Sequence, residues 1–150
     1  MSPQRGFTLV ELIVVLMLAG VLAAVAIPRF NQSEFAARGA HDFVGSALRY
    51  AQKSAIAMRR NVCVAVGASS LAVTYASAAG SGQACAAGNS LPNPATGQAF
   101  ASSPYEGSAT VSTPASVTFD AMGRPSAAVS ISVNNYASAV SVEAETGYVR

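Results

Sequence analysis

The apolar run from Phe7 to Ile27 constrains this chain more than any other feature, because it is 21 residues long and contains one carboxylate, Glu11. As a helix rising 1.5 Å per residue it would extend about 31 Å, close to the hydrocarbon thickness of a bilayer. A charge inside such a span costs about 2.5–3.5 kcal/mol on insertion scales and is expected where a partner or a function compensates for it. The run therefore predicts a membrane-spanning segment with a functional carboxylate.

Two other interpretations of the run leave something unexplained. A cleavable secretory signal has a shorter apolar region followed by a small-residue cleavage site, whereas Ala26 to Arg29 reads Ala-Ile-Pro-Arg and leads into an amphipathic stretch. A plain single-pass anchor explains the length of the run. It does not explain Glu11 or the Gly6–Phe7 junction that precedes it.

The residues from Met1 to Glu11, Met-Ser-Pro-Gln-Arg-Gly-Phe-Thr-Leu-Val-Glu, resemble the type IV prepilin signature. That signature has a short basic leader, a glycine before the scissile bond, a phenylalanine that becomes the methylated N-terminus, and a glutamate at the fifth mature position. The resemblance implies that a prepilin peptidase removes the leader, residues 1–6, by cutting between Gly6 and Phe7, and then methylates the Phe7 amine. In a stack of such subunits, the Phe7 ammonium of one chain can neutralise Glu11 of its neighbour.

Residues 28–60 predict an amphipathic continuation of the helix outside the membrane. Pro28 is a weak point, since proline removes a backbone donor, and both a kink at the membrane boundary and a stretch that can extend remain open. His41 is predicted to be a surface or packing residue, because the chain has no second histidine to join it. The apolar side chains recur at intervals of three, four or seven residues and form a stripe that needs a cover. They are Phe30, Ala37, Val44, Leu48, Ala51, Ala55 and Met58.

The composition changes after Arg60 to Val, Ala, Ser, Thr and Gly, which predicts an antiparallel β-rich head over residues 61–150. The region from Ala76 to Thr113 is rich in Gly, Ser, Pro and Ala and is predicted to be a long surface excursion with at most short strands. Turns are predicted at Asp120–Pro125 and Glu145–Gly147. The predicted strands are Val62–Val66 and Leu71–Tyr75, which form a hairpin, then Val117–Phe119, Ala128–Val133 and Ala139–Glu143.

The chain has two cysteines, Cys63 and Cys85. A cysteine pair in a domain that faces an oxidising compartment is more often a disulfide than a site. If the leader is cytoplasmic, the head is periplasmic, so a Cys63–Cys85 disulfide is predicted. Because no histidine is suitably placed to join the cysteines, and no nucleophile, base or metal cluster converges in the sequence, we predict no catalytic residue, metal or cofactor.

Three later segments are similar to the GspH/FimT family of minor pseudopilins and minor pilins. Leu48–Val64 resembles the family's helix-to-strand junction, while Phe119–Pro125 and Thr146–Arg150 resemble its later strand and its terminus. The resemblance implies an α+β fold, in which a long N-terminal helix packs with its distal half on an antiparallel β-sandwich-like head.

Charge distinguishes the candidate functions. Residues 29–60 carry six basic and two acidic side chains, whereas residues 61–150 carry four acidic side chains and two basic ones, Arg124 and Arg150. A duplex-binding head should carry a basic patch, so nucleic acid is not predicted as a partner, and these two arginines are candidates for a weak DNA contact at most. A DNA-binding minor pilin for DNA uptake is therefore the alternative.

The preferred prediction is a structural protein: a minor pilin or pseudopilin in the tip or initiation complex of a type IV pilus or a type II secretion pseudopilus. Its predicted partners are other pilins or pseudopilins, prepilin peptidase and inner-membrane lipid. Its predicted location is the bacterial inner membrane, with a single span and a periplasmic head, and from there the pilus or pseudopilus.

Overall fold

The computed structural model describes residues 6–26, 32–80, 82–101 and 103–150. The chain divides into two compact units, Met1–Gln32 and Ser33–Arg150. Helix α1, Leu9–Ala26, belongs to the first unit, and helix α2, Gln32–Met58, leads into the strands of the second. Residues 1–5 of the predicted leader lie outside the described residues, and so does the predicted weak point at Pro28. The strands are β1 Val62–Val66, β2 Ser70–Ala76, β3 Cys85–Ser90, β4 Ser103–Pro104, β5 Ala115–Phe119, β6 Val129–Ile131 and β7 Val140–Val142.

Helix α2 buries one face, and that face is the predicted stripe. Its periodic apolar residues join the sheet residues in a single core. Most of the buried residues of α2 are alanines. Met58 lies half-buried at the edge of the core, and Phe30 lies outside the described residues. The buried residues of α2 are Ala37, Ala40, Val44, Gly45, Ala47, Leu48, Ala51 and Ala55.

The head contains two antiparallel sheets in its described part, which confirms the predicted α+β class. The larger sheet has the order β3-β2-β1-β5, with β4 also paired to β2, and the smaller one pairs β6 with β7. The predicted hairpin is confirmed: Val62 lies opposite Tyr75, and Val66 lies opposite Leu71. Alternate residues of β1 point into the core, as expected for a strand with one face covered.

The prediction of a surface excursion over Ala76–Thr113 is wrong, because four of its large side chains are buried in the core: Leu91, Phe100, Tyr105 and Val111. The Leu91 N–H donates to the Val73 carbonyl at 3.0 Å, and the Val73 N–H donates to the Phe100 carbonyl at 2.8 Å. These side chains lie nine, five and six residues apart in a Gly- and Ser-rich stretch. Their spacing follows neither the strand period nor the helix period, so the sequence does not indicate that they are buried.

Tyr105 fastens this segment to the hairpin turn. Its hydroxyl lies 3.0 Å from the Gly67 carbonyl and 3.1 Å from the Ser70 carbonyl and can donate to either. Its ring packs edge-on against Phe43 of α2, with 6.2 Å between the ring centroids. Burial raises the pKa of Tyr105 to about 12, so the hydroxyl keeps its proton, and its role as a donor, across the physiological range.

Candidate processing and assembly site

The predicted cleavage junction lies before the first turn of α1. Gly6, Phe7 and Thr8 precede the helix, which begins at Leu9. A Cβ built on Gly6 would have no heavy atom within 4 Å, and Phe7 is 82% exposed. Among the described residues, the Gly6–Phe7 peptide bond is therefore in non-helical backbone with open space beside Gly6, as a protease substrate requires.

Thr8 caps the helix and places Glu11 in its first turn. The Glu11 N–H donates to Thr8 Oγ1 at 3.2 Å, and the Leu12 N–H donates to the Thr8 carbonyl at 3.1 Å. Thr8 is thus the N-cap, and Thr-Leu-Val-Glu has the spacing of a capping box. The positive end of the helix dipole favours a carboxylate in this turn. Thr8 was not identified from the sequence as a site residue, although a Thr three residues before a Glu is the capping-box pattern.

Helix α1 exposes apolar side chains on every face. Its large residues, from Leu9 to Leu22, are all exposed, and Glu11 is exposed among them without an ion pair in the described residues. A helix that is apolar all round is normally covered by other protein or by lipid. No helix in the described part of the chain meets both the length and the hydropathy of a membrane span. The predicted span, Phe7–Ile27, ends at a residue outside the described ranges and stays a prediction.

In the second unit, two later motifs meet on one face of α2. Gln52 Nε2 donates to the Gly123 carbonyl and to the Thr146 carbonyl, both at 3.0 Å. A Cβ on Gly147, which has a φ of 68°, would lie 2.5 Å from Gln52 Nε2 and 2.5 Å from the Gly123 carbonyl oxygen. The segments Phe119–Pro125 and Thr146–Arg150 therefore share one helical side chain, and their glycines permit the close approach.

Cys63 and Cys85 are joined by a disulfide that links β1 to the start of β3, with 6.1 Å between the Cα atoms. The closed loop has a sequence separation of 22 residues, for which chain-entropy arguments give a stabilisation of about 3 kcal/mol. This bond holds the beginning of β3 against the hairpin. Neither sulfur is a free thiol, so neither can act as a nucleophile or a metal ligand while the bond persists.

Arg124 and Arg150 occupy different local settings. Arg150 donates from Nε to Ser141 Oγ at 3.1 Å and lies 4.0 Å from the Glu143 carboxylate. Arg124 follows a tight turn in which Asp120 Oδ1 accepts the N–H groups of Met122 and Arg124 at 2.8 and 2.9 Å. One of the two candidate DNA contacts is thus partly neutralised by an acidic neighbour.

The described residues offer no grouping of three His, Cys, Asp or Glu side chains that could hold a metal ion. His41 lies within 3.2 Å of Asp42 and packs on Tyr136, with 4.6 Å between ring centroids. It is therefore a packing residue on the side of α2, at the edge of the head.

Residues 1–27 match the family model of the prokaryotic N-terminal methylation motif. This motif is the type IV pilin signal, so the chain is type IV pilin-like at its N-terminus, and the match points to a membrane-anchored precursor of a structural subunit that assembles with other pilins. No solved structure matches the chain.

Proposed function

We propose that this chain is a minor pilin or pseudopilin of the GspH/FimT type, and a subunit of the tip or initiation complex of a type IV pilus or a type II secretion pseudopilus. The observation that carries the proposal is the start of α1, where the Gly6–Phe7 bond lies one turn before Glu11, which follows the Thr8 cap and has no ion pair within the described residues, inside the matched motif. Prepilin peptidase cuts that bond and methylates the Phe7 amine.

The mature chain is held in the inner membrane by Phe7–Ile27, with the head in the periplasm. Three features support this arrangement: Arg5 keeps the leader in the cytoplasm, α1 exposes apolar surface on all sides, and the disulfide of the head suits an oxidising compartment. Lipid covers α1 until neighbouring subunits replace it.

Glu11 sets the register between subunits. A carboxylate in an apolar surrounding costs free energy, and this desolvation cost stays uncompensated as long as no positive charge lies beside it. The Phe7 ammonium created by cleavage supplies the missing positive charge on a neighbouring chain. Only one axial position of the neighbour brings the two charges together, so the pair acts as a registry device.

The proposal is tested by isolating the full chain from membranes of the bacterium that encodes it and identifying the proteins that accompany it. We expect other pilin-like subunits. Isolation without any pilin-like subunit, from cells that are assembling filaments, would argue against the proposed role.

The alternative, a DNA receptor, makes a different prediction. Residues 61–150 have two basic side chains against four acidic ones, and Arg150 lies beside Glu143. We expect the detergent-solubilised chain to bind duplex DNA with a Kd no tighter than about 1 µM near 0.15 M salt, with a shallow salt dependence, because each neutralised phosphate adds about −0.9 to the log–log slope. Fluorescence anisotropy at two salt concentrations measures both quantities. Sub-micromolar binding that an Arg124→Ala/Arg150→Ala variant loses would move the function to DNA capture.

A further inference from the structure

Exposed apolar side chains collect near the C-terminal end of α2. The described part of the second unit exposes four large apolar residues, and three of them lie there: Ile56 in the helix, Met122 in the turn after β5, and Tyr148 in the segment that pairs with β7. Their exposed fractions are 50%, 67% and 59%. Ile56 and Met122 line the same open cavity, of about 800 Å³. Exposed apolar residues that cluster in this way mark interaction sites.

The two turns that carry these residues are fixed to the helix. A Cβ on Gly123 would lie 2.7 Å from Ile56 Cδ1, so the turn after β5 packs directly on α2. Gln52 Nε2 donates to the Gly123 carbonyl and to the Thr146 carbonyl, both at 3.0 Å. A partner would therefore meet a surface that is already organised, and binding would order few additional groups.

Arg49 is held on the same side of the helix. Its Nη2 donates to the Val149 carbonyl at 3.3 Å, and its Nη1 lies 3.4 Å from the place that a Cβ on Gly45 would occupy. The glycine thus leaves room for the guanidinium to lie back along α2. Because Val149 directly follows Tyr148, this cation is fixed to the segment that exposes the aromatic ring.

Arg49, Lys53 and Arg59 are cations without an acidic partner. None of the three forms an ion pair within the described residues. The residues that the structure does not describe include no Asp or Glu, so they cannot neutralise these charges. Arg49 and Lys53 are four residues apart, a spacing at which like charges repel each other on a helix.

The end of the helix does not by itself explain these cations. The helix dipole favours basic residues in the last turn, and the last turn of α2 contains none. Arg59 follows the helix at the left-handed position of a Schellman motif, with a φ of 51°, where glycine is favoured. Backbone strain of this kind is often found where a side chain is needed for function.

The charged residues that border this surface leave it positive. Three are acidic, Asp120, Glu143 and Glu145, and two are basic, Arg124 and Arg150. Asp120 Oδ1 accepts two backbone N–H groups, and Glu143 lies 4.0 Å from Arg150. With the three cations described above, five basic side chains stand against three acidic ones.

We propose that this surface receives an acidic segment of a different pilin-like subunit, whose carboxylates meet the three cations and whose apolar side chains cover the exposed ones. The inference rests on the proposed function, because it names the class of partner that a subunit of the tip or initiation complex contacts. The surface is termed the basic–apolar face and consists of Arg49, Lys53, Ile56, Arg59, Met122 and Tyr148.

The composition of the basic–apolar face favours a protein partner. Arg, Met and aromatic residues are enriched at protein–protein interfaces, whereas the phosphates and sugars that supply most contacts to DNA offer little to three large apolar side chains. A second copy of this chain is a poorer occupant, because a two-fold contact through this face would bring the cations of both copies into one interface.

Photo-cross-linking tests the contact on the full chain in membranes of the bacterium that encodes it. We expect p-benzoylphenylalanine in place of Met122 to give one main product with a pilin-like subunit other than this chain, attached through a peptide that contains Asp or Glu. The control places the same residue at Ser108, which is exposed. Its neighbour Gly107 packs against Ala36, which lies about 30 Å from Ile56 along α2.

Charge reversal tests whether the cations attract the partner. In the chain with the cross-linker at position 122, Lys53→Glu should lower the yield by about tenfold, the equivalent of about 1.4 kcal/mol. The matched control is Arg38→Glu, which reverses the charge of an exposed residue of the same helix outside the face, and it should change the yield by less than about twofold. Replacing the cross-linked Asp or Glu of the partner by lysine should restore the yield with Lys53→Glu.

Arg59→Gly separates binding from folding. It should lower the cross-linking yield, because it removes a cation, and raise the Tm of the head, because it relieves the left-handed backbone. A variant that merely unfolded the head would lower both the yield and the Tm. An unchanged yield with Arg59→Gly would contradict the proposed role of this cation.

Several results would overturn the contact. They are a yield at position 122 no higher than at position 108, a product with a second copy or with nucleic acid, an attached peptide without an acidic residue, equal effects of the two charge reversals, and failure of the partner's lysine to restore the yield. If cross-linking fails while pilin-like subunits still accompany the chain, this inference alone is wrong. If no pilin-like subunit accompanies the chain, the proposed function is wrong with it.

Discussion

Replacing Glu11 by valine is expected to abolish assembly with other pilin subunits and to leave the chain inserted in the membrane. The substitution removes a charge whose insertion costs about 2.5–3.5 kcal/mol, so the apolar segment becomes easier to insert. It also removes the partner of a neighbouring Phe7 ammonium, which leaves that charge unpaired. The described contact of Glu11 is made by its own N–H to Thr8, which valine retains. Membrane fractionation and co-purification measure the two effects separately.

Two companion variants separate the charge of Glu11 from its place in the cap. Glu11→Gln keeps a capping-box residue and removes the charge, and it should fail to assemble as Glu11→Val does. Thr8→Ala removes the N-cap, at a cost of about 0.5–2 kcal/mol to the helix start, and keeps the charge, so it should still assemble. Normal assembly of the Glu11→Gln variant with other pilin subunits would contradict the proposed pairing of Glu11 with Phe7.

Replacing Gly147 by valine should cause a large loss of stability in the head. The residue has a φ of 68°, which is strongly unfavourable for a β-branched side chain, and its Cβ would collide with Gln52 Nε2 and the Gly123 carbonyl. Displacing Gln52 also removes its two hydrogen bonds. The strain and the lost bonds together amount to about 3 kcal/mol, or a fall of roughly 10 °C in Tm, which thermal unfolding of the chain in detergent measures.

Gly88 provides the matched control for this prediction. A Cβ there would have no heavy atom within 4 Å, and its φ is not in the left-handed region, so Gly88→Ala should leave Tm nearly unchanged whereas Gly147→Ala lowers it. In a Gln52→Ala background, which removes the colliding amide, Gly147→Ala should cost less than in the wild-type chain. Equal costs in the two backgrounds would show that Gln52 does not set the constraint.

The sequence predicted those elements whose residues follow a regular period. The stripe of α2 at Val44, Leu48 and Ala51 is buried as its spacing indicates, and β1 and β2 pair around the predicted turn. In both cases the period of the apolar residues fixes which face is covered. The pairing of Cys63 with Cys85 was equally accessible, since the chain has two cysteines in all.

Features that depend on contacts between distant residues could not be predicted. Phe100 and Tyr105 are isolated in a Gly- and Ser-rich segment, and their burial depends on contacts with β2 and with Phe43 of α2. In the sequence, Gln52 is a polar helix residue like any other. Its role follows from its contacts with the turns at Gly123 and Gly147, which lie far from it along the chain. At the candidate site, Gly6, Phe7 and Glu11 follow from the motif alone.

Intact-mass analysis of the protein isolated from the membranes of the bacterium that encodes it tests the central proposal most directly. We predict a chain that begins at Phe7, has lost residues 1–6, and carries one methyl group on its new amine. A Gly6→Val variant should keep the leader, because it places a branched side chain at the scissile bond. A wild-type chain that retains Met1–Gly6 in cells with an active prepilin peptidase, or one that is cut elsewhere, would contradict the assignment.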